Sequence, residues 1–170
     1  MNILVFCALC FQDVSETLRA RERWYRELLE ALPVALYTTD IEGRLTFYND
    51  AAIALAGTRP ELGSDKWCVS WRLFHPDGRP MPHDECPMAV ALKENRVVRG
   101  AEAIAERPDG SRVPFIPYPS PLRDEHGTVI GAVNMLIDIS DRKAAELERQ
   151  RLVAELRRLN ETLEQRVEEQ

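Results

Sequence analysis

The sequence predicts an α+β protein with strands in a group of two and then a group of three. Three observations predict it. Strand-like runs fall into two groups, a pair within residues 35–49 and three longer runs between residues 97 and 139, and do not alternate with long helices. Short helical segments with recognisable ends fill the interval between the groups. Charged, helix-forming stretches with apolar residues at three- and four-residue spacing stand outside both groups.

The bulk composition agrees with one core plus helical extensions in a chain of 170 residues. At 45% hydrophobic and 29% charged residues, it matches neither disordered nor membrane proteins. A net charge of −6 provides no continuous basic surface for a phosphate backbone, so nucleic acid is not an expected partner. Cys7, Cys10, Cys68 and Cys86 are too sparse and irregular for a disulfide framework, which points to a reducing, cytoplasmic compartment.

Residues 1–32 read as an apolar segment and an amphipathic helix. The opening MNILVFCALCF is far shorter than the roughly 20 residues of a membrane span and lacks the basic start and small-residue cleavage site of a secretory signal. It stays open as a helix or strand packing on a dimer partner, a remnant of a longer membrane-linked N-terminus, or a misassigned start. Asp13 with Glu16 predicts a helix start. Val14, Leu18, Tyr25, Leu28, Leu29 and Leu32 continue the helix, and Pro33 ends it near Leu32.

Residues 33–140 form the predicted domain. ALYTTD and RLTFYN, joined through Ile41, Glu42 and Gly43, predict a strand pair. DAAIALAG, entered from Asn49 and closed by Gly57, predicts a short capped helix. The polar, proline-containing stretch from Trp67 to Cys86 reads as an irregular excursion or an extra hairpin. A helix is predicted from Asp84 to Asn95, with Met88, Ala91 and Leu92 on one face. Strands are then predicted at 97–107, ending in the Pro108, Asp109, Gly110 turn, from Arg112 onward, and at 128–139. The second of these contains Pro114, Pro117, Pro119 and Pro121. Because the last three are two apart, their missing donors all face one flanking strand and the opposite ladder can survive. The third is an apolar run suited to an inner strand.

Residues 141–170 turn to charged helix formers. Leu152, Leu156, Leu159 and Leu163 follow alternating three- and four-residue steps, with Ala145 on the same stripe and Arg149 and Arg166 at two seam positions. These leucines are the predicted dimer seam. The plainer reading is a solvated amphipathic helix.

Three segments carry a family likeness. FYNDAAIALAG from Phe47, RPDGSRVPF from Arg107 and GAVNMLIDISDRK from Gly131 together resemble, in order and spacing, the PAS domain with its C-terminal PAC half, across roughly Tyr25 to Lys143. The resemblance implies a five-stranded antiparallel sheet with short helices on one face, and a sensory role in two-component, histidine-kinase-type signalling. It further implies that Asp138, Ile139 and Ser140 hand the sheet over to an output helix, with Arg142 just beyond. Ser140 stands where the family more often has threonine, and either hydroxyl can cap a helix. A plainer role for Asp138 and Arg142 is a cap and a local ion pair. The expected assembly is a homodimer with a downstream kinase or other output domain.

The family's cup can hold haem, flavin or a small metabolite, and nothing in the sequence requires any of them. Tyr37, Phe47, Trp67, Trp71, Phe74, Met88, Ile104, Phe115 and Met135 are the candidate lining, although aromatic residues at such spacing also build ordinary cores. The reactive cysteine of the flavin photoreceptors, in an NCRFLQ-like helix, has no counterpart, and Cys68 is a poor substitute. The Cys7–Cys10 spacing stands alone, and His75, His83, Asp84, Glu85 and Cys86 match no usual ligand spacing, so no metal site is expected. No GxSxG, Walker loop or kinase glycine box is present, and His75, His83 and His126 lie in no phosphoacceptor-like helix. An enzyme is therefore not expected; besides the sensor reading, a ligand receptor and a pure interaction scaffold remain.

Overall fold

The computed structural model describes residues 3–168, with side chains described for 15–166. Helix α1 spans Ile3–Glu30 and passes through Asp13 without interruption, so the predicted start at Asp13 is corrected. With no proline or glycine between residues 3 and 30, extending an existing helix costs less than nucleating a new one. The apolar opening is thus helical in its backbone, while the side chains of Cys7 and Cys10 lie outside those described. The chain leaves the helix through Ala31 N–H to Glu27 O and Leu32 N–H to Leu29 O, just ahead of Pro33.

Strands β1 (Ala35–Asp40) and β2 (Leu45–Tyr48) pair antiparallel, with a bulge at Thr38/Thr39. Helix α2 (Asp50–Ala56) is capped by Asn49 and closed by Gly57 in the left-handed conformation, as the sequence predicts. The excursion contains a hairpin, β3 (Arg72–Phe74) and β4 (Pro80–Met81). Because β3 also pairs with β5 (Ala103–Glu106), the sheet has seven strands and not five. A three-residue and a two-residue strand carry too little alternation to be read from sequence.

A 3₁₀ turn at His83–Glu85 precedes helix α3 (Pro87–Lys93), which starts three residues later than the predicted Asp84. Cys86 is extended and Pro87 takes the first helical position, where its missing N–H costs nothing. Strands β6 (Arg112–Arg123) and β7 (Val129–Asp138) complete the sheet, in the order β2-β1-β7-β6-β5-β3-β4. Helix α4 (Ser140–Glu168) follows β7 directly.

The predicted strand 97–107 is corrected to β5 alone, and the prolines of β6 explain why. Ala103 lies opposite Phe115, so a longer β5 would place residues 101, 99 and 97 opposite Pro117, Pro119 and Pro121. Ile139 N–H donates to Pro114 O, which sets the parity: even-numbered β6 residues bond β7, and odd-numbered ones face β5. The three prolines therefore spare the β7 ladder and withhold every donor that a longer β5 would need.

The sheet's inner face packs on α2 and α3. Tyr37, Leu45, Met88 and Leu136 are its largest fully buried apolar side chains, joined by Phe115, Leu55 and Ala52. Pro117 and Pro119 are buried with them.

Candidate functional site

The junction between β7 and α4 is built on Ile139, a buried residue whose peptide groups belong to both elements. Its N–H donates to Pro114 O at 3.0 Å, and its carbonyl accepts from Lys143 N–H at 2.9 Å as the first helical acceptor. Pro114 has no N–H to compete for that carbonyl. Asp138 Oδ1 accepts from Ser140 N–H at 2.8 Å, so the carboxylate satisfies an N-terminal donor of the helix.

Arg142 does not pair locally. Its guanidinium donates to Glu102 Oε1 at 2.6 Å, and Lys143 Nζ lies 2.7 Å from Glu102 Oε2. Glu102 immediately precedes β5, so this clasp ties the first turn of α4 to the far side of β6. The Lys143 hydrogen bond, with help from Arg142, holds the Glu102 carboxyl below the usual carboxylate range. A carboxylate depressed in this way stabilises the fold above its unfolded pKa, and that contribution disappears as pH falls through the folded value. The clasp is therefore expected to be fully formed at neutral pH and to open only below the ordinary glutamate value of about 4.3. A titration of the Glu102 side-chain carboxyl by carbon NMR checks this, and a midpoint at or above that value contradicts it.

The predicted lining residues do not converge on one pocket. Tyr37, Met88 and Phe115 lie on the inner face, and half-buried Trp67 packs against that core. Phe47 pairs across from Thr38, Met135 lies between Leu36 and Tyr118, and Ile104 lies between Phe74 and Pro114. Those four, Phe47, Met135, Ile104 and Phe74, therefore occupy the opposite face of the sheet. Arg112 stacks 4.1 Å above the Phe74 ring there. Trp71 is 55% exposed. Their sequence positions could not reveal which face each takes, because a one-residue bulge or a loop boundary reverses it.

What the inner face holds instead is a buried polar chain. Asn134 Nδ2 donates to Tyr37 Oη at 3.0 Å, and the Tyr37 hydroxyl donates to Trp67 O at 2.9 Å. Asn134 Oδ1 accepts from Tyr118 N–H, and the Cys86 thiol points at the same Trp67 carbonyl at 3.7 Å. Burial pushes the Tyr37 phenol well up and the Cys68 thiol up, and it pushes the Cys86 thiol to about 12, reinforced by neighbouring Cys68. These thiols are packing groups at neutral pH rather than nucleophiles. Sequence reading missed Asn134, although one amide inside the apolar run TVIGAVNMLIDI is a signal, since a buried amide needs partners. His83 Nε2 meets Ser70 O at 2.9 Å, while Cys86 faces Trp67, so the neighbouring candidate ligands diverge.

A cleft of about 400 Å³ opens beside this chain, lined by Arg59, Lys66, Trp67, Ser70, Trp71 and His83 among others. Trp67 adopts φ 71°, and its ring lies so close to Gly43 that a Cβ there would stand 2.4 Å from it. On α4, the seam residues Leu152, Leu156, Leu159 and Leu163 are all exposed. No described helix is long and apolar enough to cross a membrane.

A family model described as the PAS fold matches residues 29–144. Among solved structures, an RNA-binding light-oxygen-voltage receptor aligns with a TM-score of 0.58 at 18% identity, over 78% of this chain and 37% of that one. The chain thus spans little more than a third of that receptor. The PAS domain of an HTR-like protein from Haloarcula marismortui aligns at 0.52 and 17% identity, over 75% and 99% of the two chains. A PAS domain from Colwellia psychrerythraea gives 0.52 and 18%, over 71% and 98%. The match of the family model across the sheet, both inner helices and the start of α4 means that this chain belongs to the PAS family.

Proposed function

We propose that the chain is a sensory and dimerising PAS module of a signal-transduction protein of two-component, histidine-kinase type. It passes a change in sheet packing through Asp138, Ile139, Ser140 and Arg142 into α4, and two α4 helices pair along Leu152, Leu156, Leu159 and Leu163. The partner of that arm is a downstream kinase or other output domain in the cytoplasm, and the module itself is not an enzyme. The carrying observation is Ile139, whose N–H belongs to the sheet ladder and whose C=O belongs to the helix ladder. No linker intervenes to absorb a displacement of β7, so the helix must follow it.

The exposed leucine stripe supports pairing, since an isolated helix leaving four leucines in water gains by covering them. Light scattering of the full chain is expected to give twice the 19.4 kDa chain mass, and the L156E/L159E variant is expected to return to the monomer mass without losing the folded domain. A wild-type monomer at high concentration contradicts the pairing.

A second reading, a small-ligand receptor, draws its support from the cleft at Trp67 and Trp71. A haem or flavin within the cup is less well suited, because Tyr37, Met88 and Leu136 fill the space between sheet and helices with almost no residual exposure.

A further inference from the structure

We infer that the cleft beside Trp67 is a binding site for an aromatic carboxylate, and that Trp67, Tyr37 and Asn134 report its occupancy to β7. The inference rests on the sensory reading above and names its input. The cleft is lined by the segment that carries Trp67 and Ser70, and not by Tyr37, Met88 or Leu136, which fill the cup.

Its lining selects charge and shape together. In a chain of net charge −6, Arg59 and Lys66 both line the cleft, and neither makes an ion pair among the described residues. The one carboxylate in its lining, that of Asp65, accepts the Glu61 N–H at 2.8 Å. Two cations against one carboxylate leave the lining with an excess of positive charge for an anion. Trp71, 55% exposed, provides an indole face on which a flat ring stacks at little entropic cost, whereas the Trp67 ring already has Gly43 against it and the Lys93 ammonium 5.4 Å from its centroid. The size, about 400 Å³, lies at the small end of metabolite pockets.

The cleft is also connected to the sheet. A ligand in the cleft meets Trp67, a residue held at positive φ, where a tryptophan persists only if its surroundings hold it. The carbonyl of that residue receives the Tyr37 hydroxyl, which in turn receives Asn134 of β7. Strand β7 continues to Ile139. Each contact in this chain is a single hydrogen bond, part-buried at Trp67 and buried at Asn134, so rotation of the Trp67 peptide must either break it or move the strand.

The test uses the full chain, with benzoate, 4-hydroxybenzoate and indole-3-acetate as probes, followed by tryptophan fluorescence and calorimetry. At least one probe is expected to bind saturably, with its amide about tenfold weaker or worse, and with a similar loss in the R59Q/K66Q variant. In Y37F the affinity is expected to hold within about threefold, while the ligand-dependent change in distance between spin labels on paired α4 helices disappears. No saturation by any of the three at about 10 mM, equal binding by R59Q/K66Q, or equal competition by inorganic phosphate overturns the aromatic carboxylate site. A wild-type response that persists in Y37F overturns the route. Failure of the dimer in light scattering, with carboxylate binding intact, removes the arm reading and leaves the site. A dimer that binds no carboxylate does the reverse.

Discussion

G131A is expected to destabilise the domain by about 3–5 kcal/mol, a large share of a typical small-domain stability. Gly131 pairs with Asp40 of β1 and Leu122 of β6, so both its flanks are occupied. A Cβ at this position would stand 2.2 Å from the Thr39 carbonyl oxygen, a backbone atom that cannot rotate away. Relief requires β1 to separate from β7, which removes ladder bonds and opens the core around Tyr37. G110A supplies the contrast. Gly110 has φ 83° but open space around its would-be Cβ, so only the left-handed penalty of about 1–2 kcal/mol applies. Urea unfolding midpoints of the two variants check the ordering, and equal midpoints contradict it.

N49A is expected to cost about 3–4 kcal/mol and to release the end of α1 from the domain. The Asn49 side chain is fully buried and makes five hydrogen bonds. Its Oδ1 accepts from Ala52 N–H, which caps α2, and from Leu36 N–H, which anchors β1. Its Nδ2 donates to Val34 O at 2.9 Å, Leu29 O at 3.2 Å and Leu32 O at 3.4 Å. Alanine removes the side-chain partner of the Leu36 N–H and of the Leu32 and Val34 carbonyls, while Leu29 O keeps the Leu32 N–H and Ala52 N–H keeps the Asn49 carbonyl. N49D retains the cap acceptor but turns a carboxylate toward three carbonyl oxygens, so it is expected to fare little better than alanine. Amide hydrogen exchange at residues 31–36 should rise sharply in both. Unchanged protection there, with a lower unfolding midpoint, would confine the role of Asn49 to the cap.

The close of α1 before Pro33, the hairpin at Gly43, the capped α2 and the inner position of β7 could be read from the chain, because each depends on local features. Asn49 before an alanine-rich run, Gly57 after it, and a mostly apolar segment closing at Ile139 act over a few residues. The proline spacing in β6 was legible in half of its meaning. Sparing of the β7 ladder followed from the alternation, whereas the early stop of β5 needed the register that places Ala103 opposite Phe115. The Glu102 clasp was invisible because its partners lie forty positions apart and charged pairs at that separation are unremarkable in any sequence.

Sequence alone determined the fold class, since periodicity, caps and turn residues are written in neighbouring positions, and through the likeness of three segments it determined the family and the point where strand becomes helix. Tertiary structure alone decided which aromatic residues share a face, which carbonyl the Tyr37 hydroxyl finds, and which carboxylate holds Arg142. The physical reason is that a side chain's face and its buried partner depend on strand register and loop path, and both are settled by contacts between residues far apart in the chain.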